Sequence, residues 1–275
     1  MPFRKVLLRV VAIGLAASPA SRAQSPSPPA SLRFEVASLK PSAPGGRGGG
    51  VRPAPGGERY LATNSTIKNL ITVAYRIKSD QVTGGPAWIE TDRYDMNAKA
   101  ERPSSIEELH TMLMNLLADE FKLRFHREKK ELPVYALVVD KDGPKLTPHE
   151  SPSASETAGE TWIAISADPA PELFLRRTWH ATLTPMDYLA FRLGEMLDRP
   201  VVNLTELKGS YDFDLSFTME LPPGAPEHPL VNGVAVDTSG PTVFAAIHKL
   251  GLRLESKKHA VEIMVIDNAE KPPEN

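Results

Sequence analysis

The sequence predicts an α+β fold of two repeated βαββαβ-like modules, each with two helices packed on a small mixed sheet. Three observations predict it. Residues 106–140 read as an amphipathic helix followed by two strands, and the same pattern returns over residues 242–268. Landmarks recur between the halves: Thr66 with Thr184, Tyr94-Asp95 with Tyr211-Asp212, and Leu123-Arg124 with Leu252-Arg253, at offsets of 184−66 = 118, 211−94 = 117 and 252−123 = 129. Between the halves the composition shifts to Pro, Ser, Thr and Glu. The wider last offset is explained by a Pro/Gly-rich insertion, Leu221 to Val236.

Taken in order, Arg4, Lys5 and Arg9 precede a short apolar run from Val10 to Ala17 and a small-residue end at Ser21-Arg22-Ala23. This reads as a secretory signal peptide, because the run is far shorter than the roughly 20 residues that span a bilayer. A Ser/Pro-rich tether follows. Arg33 to Lys40 alternates as a strand, and Pro41 to Gly57, with seven glycines, reads as a mobile loop. Its GGRGGG run lacks the Gly-Lys-Ser/Thr ending of a phosphate-binding loop. Tyr60 to Thr63 is a strand, and Ser65 or Thr66 caps a helix with the face Ile67, Leu70, Ile71, Ala74, Tyr75. Gln81 to Thr83 and Arg93 to Ala100 are strands on either side of the Gly84-Gly85-Pro86 break and Trp88.

The helix of the first repeat starts at a capping box, Ser105 with Glu108, and carries Ile106, Leu109, Leu113, Leu116, Leu117 and Phe121 on one face. Leu123 to Phe125 and Val134 to Val139 then read as two strands separated by a charged turn, Arg127 to Glu131. In the second half Thr161 to Ser166 and Thr178 to Leu183 are strands, and Thr184-Pro185-Met186-Asp187 opens a helix as a capping box with proline at its first position. That helix buries Met186, Leu189, Leu193, Met196 and Leu197. Val201 to Asn203 and Ser210 to Phe217 are strands, Ser239-Gly240-Pro241 opens the last helix, and Gly251 closes it as a left-handed cap. Leu252 to Leu254 and Val261 to Ile266 repeat the two-strand exit around Lys257-Lys258.

The expected division is a signal peptide over 1–23, a tether over 24–32, a first module over 33–142, a linker over 143–159, a second module over 160–270 and a tail over 271–275. A net charge of −2 from nearly balanced acids and bases argues against a nucleic-acid partner. After signal cleavage no transmembrane segment is expected. Cysteine is absent, which removes disulfides, thiolate metal sites and thiol nucleophiles.

The seven histidines are dispersed, none in a close metal-ligand spacing, and no Gly-x-Ser-x-Gly or Ser-x-x-Lys motif is present. No cofactor and no catalytic residue is therefore expected. His110, beside Glu107 and Glu108, reads as surface ion pairing, and Asp95 and Asp212, at equivalent sites, read as structural. Trp162 and Trp179 read as packed. The candidate partner-binding residues are Gly84, Gly85, Pro86 and Trp88, because a glycine-rich bend can present an indole to a partner.

Several stretches carry a resemblance: Phe34 to Ser38 with Lys40-Pro41-Ser42, Ala62-Thr63-Asn64, Gly84 to Pro86 with Trp88, Asp92 to Asp95, Leu116 to Phe125, Leu132 to Val139, Gly209 with Tyr211 to Phe213, and the Lys271-Pro272 to Asn275 ending. On these the chain resembles an uncharacterised exported protein family abundant and highly duplicated in soil bacteria. The resemblance implies no established activity. Each half is also distantly similar to the short N-terminal domain of secretins and TonB-dependent receptors, a periplasmic protein-contact module. Related domains fused to antirepressor metallopeptidases that resemble β-lactam sensors imply sensing or adaptor work. The expected function is thus non-catalytic recognition in the cell envelope, periplasmic or extracellular, with a protein partner. The alternatives are binding of cell-wall glycan and, third, an enzyme whose catalytic groups converge only in three dimensions.

Overall fold

The computed structural model describes residues 32–43, 45, 49–54, 56–149, 163–221, 224–226 and 228–272. The expected signal peptide, nearly all of the expected tether, most of the expected linker, Trp162 and the last three residues lie outside them. Within them the chain is a mixed α+β protein of five α-helices and several small sheets.

The first sheet has the order β1-β5-β3-β2, formed by β1 (Val36–Pro41), β2 (Gly50–Pro53), β3 (Arg59–Thr66) and β5 (Arg93–Lys99), all antiparallel. Its inner face holds Tyr60, Ala62, Tyr94, Met96 and Ala98, as the period of two dictates. Helices α1 (Ile67–Tyr75), α2 (Trp88–Thr91) and α3 (Ile106–Glu120) cover that face, and the core continues through Leu70, Leu113, Leu117 and Phe121. Both caps follow from the sequence. Thr66 accepts from the Asn69 amide, and Ser105 and Glu108 exchange the two bonds of a capping box.

A second sheet has the order β7-β11-β9-β8, formed by β7 (Thr147–His149), β8 (Ile163–Ala167), β9 (Arg176–Pro185) and β11 (Ser210–Thr218). It packs on α4 (Met186–Met196) and α5 (Val243–Lys249) around Trp179, Leu189, Leu193, Phe217 and Ile247. A short hairpin, β12 (Leu230–Val231) with β13 (Val234–Ala235), lies in the predicted insertion.

The third sheet is mixed, in the order β10-β6-β14-β4. Its centre is an antiparallel ladder between β6 (Arg124–Val139) and β14 (Leu252–Asn268), flanked in parallel by β4 (Val82–Gly84) on β14 and β10 (Val201–Asn203) on β6. The strands therefore do not sort into one small mixed sheet per half. Each half has an antiparallel sheet of its own and lends strands to a shared one.

This corrects the two predicted turns. Arg127 to Glu131 lies inside β6 and Lys257-Lys258 inside β14, because each run finds ladder partners in the other half: Arg127 opposite Met264, Lys258 opposite Pro133. The linker expectation is also corrected, since Thr147–His149 pairs with β11, and the glycine loop contains β2. Thr184 does not cap α4: its hydroxyl donates to the Thr182 carbonyl, and Pro185 occupies the cap position without a side-chain bond. The last helix begins later than expected, with Thr242 accepting from the Ala245 amide. Gly251 has φ 69°, and a Cβ there would fall 2.0 Å from the Gly143 carbonyl oxygen. Only glycine fits.

Candidate functional site

The two halves meet along a polar seam where α1 and α3 face α4. Arg76, in the left-handed position that ends α1 (φ 53°), directs its guanidinium into this seam. Its Nη atoms donate to both oxygens of Glu107 at 2.9 and 2.8 Å, its Nε donates to His110 Nδ1 at 3.1 Å, and its plane lies 5.5 Å from the centre of the Tyr188 ring. Just beyond, Lys78 donates to the Gly194 and Leu197 carbonyls at 2.8 and 2.7 Å, capping the C-terminal end of α4 from the other half.

His110 is thus not a surface residue. It is 4% exposed, its ring lies 5.8 Å from that of Tyr60, and burial followed by the Arg76 charge pulls its pKa down to about 3. The imidazole is neutral, accepts at Nδ1 and carries its proton on Nε2. Burial likewise pushes the Tyr60 phenol up, well above its ordinary range. Neither ring ionises near neutral pH.

Two adjoining cavities open along this seam. The inner one, of about 260 Å³, is lined by Val51, Tyr60, His110, Tyr188 and Phe191 among others. The outer one, of about 910 Å³, has a polar wall of Asn64, Ser65, Asn69, Thr72, Thr91 and Arg93. Val51, Val73, Arg192 and Glu195 border both. Partial burial raises the Glu195 pKa, against the lowering influence of Arg192 and Lys78. Arg192 Nε is 3.2 Å from Glu195 Oε2 but is not aligned on it, and it is the one buried side-chain donor without a hydrogen bond among the described residues.

β2 forms one rim of the cleft and, among the described residues, is the edge of its sheet. The Ala54 amide donates to the Arg59 carbonyl at 2.8 Å, and from that bond the alternation of an antiparallel ladder turns the N–H and C=O of Val51 away from β3. The cleft therefore pairs an open strand edge with a helix wall, an apolar aromatic end and a polar end. Such a concave junction between two units is a usual place for ligand binding.

A family model described as "Protein of unknown function (DUF3738)" matches residues 68–269, which is 202 of the 275 residues. The chain belongs to that family. No curated protein and no solved structure matches it. The DUF3738 match includes Arg76, His110, Tyr188, Arg192 and Glu195, and begins beyond β2 and Tyr60. Family membership carries no activity with it.

In this DUF3738 chain the candidate partner-binding residues, Gly84, Gly85, Pro86 and Trp88, line neither cavity of the seam. Gly84 and Gly85 both have φ 76°, and a Cβ on Gly85 would press on Ile266 and on Ile89 at 3.0 to 3.2 Å. The bend they form with Pro86 delivers Trp88 as the first residue of α2, half-buried, with its ring 6.2 Å from that of Phe121 and the Lys271 ammonium 5.8 Å above it. Asp95 and Asp212 hold equivalent backbone bulges. Asp95 accepts from the Asn64 amide and the Ser42 hydroxyl at 2.7 and 2.8 Å, and Asp212 accepts from the Leu183 amide and His149 Nδ1, both at 2.8 Å. Asn64 and Leu183 sit at φ 46° and 53°, so each carboxylate fixes a strained residue just before a helix. Trp179 is core, at 1% exposure.

Sequence reasoning missed the seam because its members come from both halves. One signal was present. His110 falls four residues after Ile106 and three before Leu113, on the buried side of α3.

Proposed function

We propose that this chain is an exported recognition protein of the cell envelope that grips an extended segment of a protein partner in the cleft between β2 and α4. The carrying observation is the open edge of β2 facing Tyr188, Phe191 and Arg192 across that cleft. A strand added to β2 would take ladder bonds from Val51 and place apolar side chains beside Tyr188 and Phe191. Export is supported by the basic, apolar and small-residue order of the first 23 residues. Sensing or adaptor work rests on the resemblance to domains fused to antirepressor metallopeptidases.

A duplication underlies this reading. The orders β1-β5-β3-β2 and β7-β11-β9-β8 correspond strand for strand. In the shared sheet, adding 129 to Glu131 gives 260, and Ala260 is its ladder partner. Adding 129 to Tyr135, the partner of Val201, gives 264, and Met264 is the partner of Val82. Such a correspondence is expected of two copies related by a two-fold axis through the Glu131–Ala260 pair.

A second reading, cell-wall glycan, is favoured by the amide- and hydroxyl-rich wall of the outer cavity. Random peptides displayed on phage, selected on the mature protein in parallel with a panel of cell-wall glycan fragments, separate the two. Peptides enriched on the wild type and lost on Val51→Pro, which removes the outward N–H, are the expected result. Glycan binding that survives Val51→Pro, with no peptide enriched, would reject the strand-addition site.

A further inference from the structure

Ser166, His180 and Asp214 stand side by side on β8, β9 and β11, at the outer face of the second sheet. His180 lies directly opposite Asp214 in the ladder, and its other cross-strand neighbour is Ala164, two residues from Ser166. His180 Nδ1 is 2.7 Å from Asp214 Oδ1, and His180 Nε2 is 3.1 Å from Ser166 Oγ. A carboxylate only accepts, so in the neutral ring the proton sits on Nδ1. The Nε2 lone pair is then aimed at the serine hydroxyl, which donates. Nucleophile, base and orienting carboxylate are thus joined in the order that acyl-transfer chemistry requires.

We propose that Ser166 is a nucleophile activated by His180 and oriented through Asp214, with carboxylic esters as its substrate class. In the first step Ser166 Oγ bonds to the ester carbonyl carbon and its proton passes to His180 Nε2. Collapse of the tetrahedral adduct breaks the bond to the alkoxy oxygen, which leaves with that proton as an alcohol. A water molecule then attacks the acyl-serine carbonyl, gives its proton to Nε2, and the acid is released as the proton returns to Ser166 Oγ. No oxidant, metal or cofactor enters this balance.

The setting defines what kind of ester is reached. His180 and Asp214 are 52% and 72% exposed, and none of the three residues lines the cavities described above. The substrate is therefore an acyl group carried on a larger molecule that lies across the sheet, or a small activated ester from solution, rather than an enclosed small molecule. β8 is the edge of its sheet, so among the described residues it has no second partner strand. Its outward N–H groups lie on the same strand as Ser166 and are free to donate to the developing oxyanion. The strand-addition cleft uses none of these groups, so either proposal can fail alone.

Reaction of the mature protein with an alkyl fluorophosphonate, followed by intact-mass measurement and peptide mapping, is the direct test. Phosphorus bonds to Ser166 Oγ, fluoride leaves, and the hydroxyl proton is taken up by His180. A single adduct on Ser166 is expected, absent in Ser166→Ala and formed roughly 100-fold more slowly in His180→Gln, the low end for a positioned general base. Asp214→Asn should slow it as well. With p-nitrophenyl acetate the wild type should release p-nitrophenolate faster than Ser166→Ala. An adduct rate unchanged by His180→Gln, or no adduct beyond that of Ser166→Ala, would overturn the assignment. Because all three side chains are on the solvent face, matching melting temperatures exclude unfolding as the cause.

Discussion

Arg76 donates from Nε to Nδ1 of His110 at 3.1 Å, and this bond requires that the imidazole be neutral. Glu107 binds Arg76 from one side, the Tyr60 ring lies beside the imidazole, the Tyr188 ring lies beside the guanidinium, and Glu195 borders the same cavity as His110. The folded pKa near 3 lies below the unfolded value, so the unfolded chain binds more protons between about pH 3 and 6.5. The stability that His110 contributes is complete above pH 6.5 and is lost as pH falls through that window. The slope approaches about 1.4 kcal/mol per pH unit at its steepest. Urea unfolding at several pH values between 4.5 and 7.5 is expected to show this decline in the wild type and a flatter profile in His110→Gln. Equal slopes in the two proteins would mean that His110 is protonated in the fold.

Lys78 joins the halves through a different bond type. Its ammonium supplies two donors to the last carbonyls of α4, where the helix dipole favours a positive charge. Lys78→Met keeps the length of the stem and removes both bonds, leaving two carbonyls without a partner. A loss of about 1–3 kcal/mol in thermal or urea unfolding is expected. Lys78→Arg should recover part of it. Unchanged stability in Lys78→Met would show the cap to be dispensable.

Trp88 has a packing role that its sequence setting does not reveal. The indole stacks towards Phe121 and has the Lys271 ammonium over its ring, and Lys271 is itself paired with Asp92 at 2.6 Å. The hydrogen bond from Lys271 and its charge hold the Asp92 carboxyl below its usual range. Trp88→Ala removes a half-buried aromatic and is expected to cost about 2 kcal/mol, less than the 3–5 typical of a fully buried one. A melting temperature equal to wild type would free Trp88 for the partner-contact role that the glycine-rich bend suggests.

What the sequence made legible was local. The capping box at Ser105 and Glu108, the apolar face of α3 and the alternation of Arg93 to Lys99 all appear where residue chemistry puts them, because each depends on neighbours within about five residues. The long strands β6 and β14 were not legible. Arg127 to Glu131 has the composition of a turn, and only partners about 130 positions away make it a strand. The seam was hidden for the same reason, since Arg76, His110 and Arg192 converge through tertiary packing. The Ser166 row was hidden by a motif search that looks for contiguous residues, whereas its members are set by ladder register. The sheet edge at β2 was disguised by glycine, which lowers strand propensity while leaving the pairing with β3 intact.

Sharing of the central sheet makes the halves interdependent, which is the last prediction. The core of the first half includes Met264 and Ile266 from β14, and that of the second includes Leu137 from β6 and Ile106 from α3. A fragment of residues 33–142 would therefore lose the strand that pairs with β4 and along the whole of β6. A fragment of residues 160–270 would lose β7, Leu137 and the partner of β10. Each would expose buried apolar side chains and unpaired strand edges, costs well beyond the few kcal/mol by which a domain this size is stable. Neither fragment alone should melt cooperatively or give dispersed amide proton resonances. Mixing the two should restore both features, because the missing strands are then supplied in trans. Cooperative melting of either fragment by itself would show that the first or second unit holds its own core without the shared ribbon.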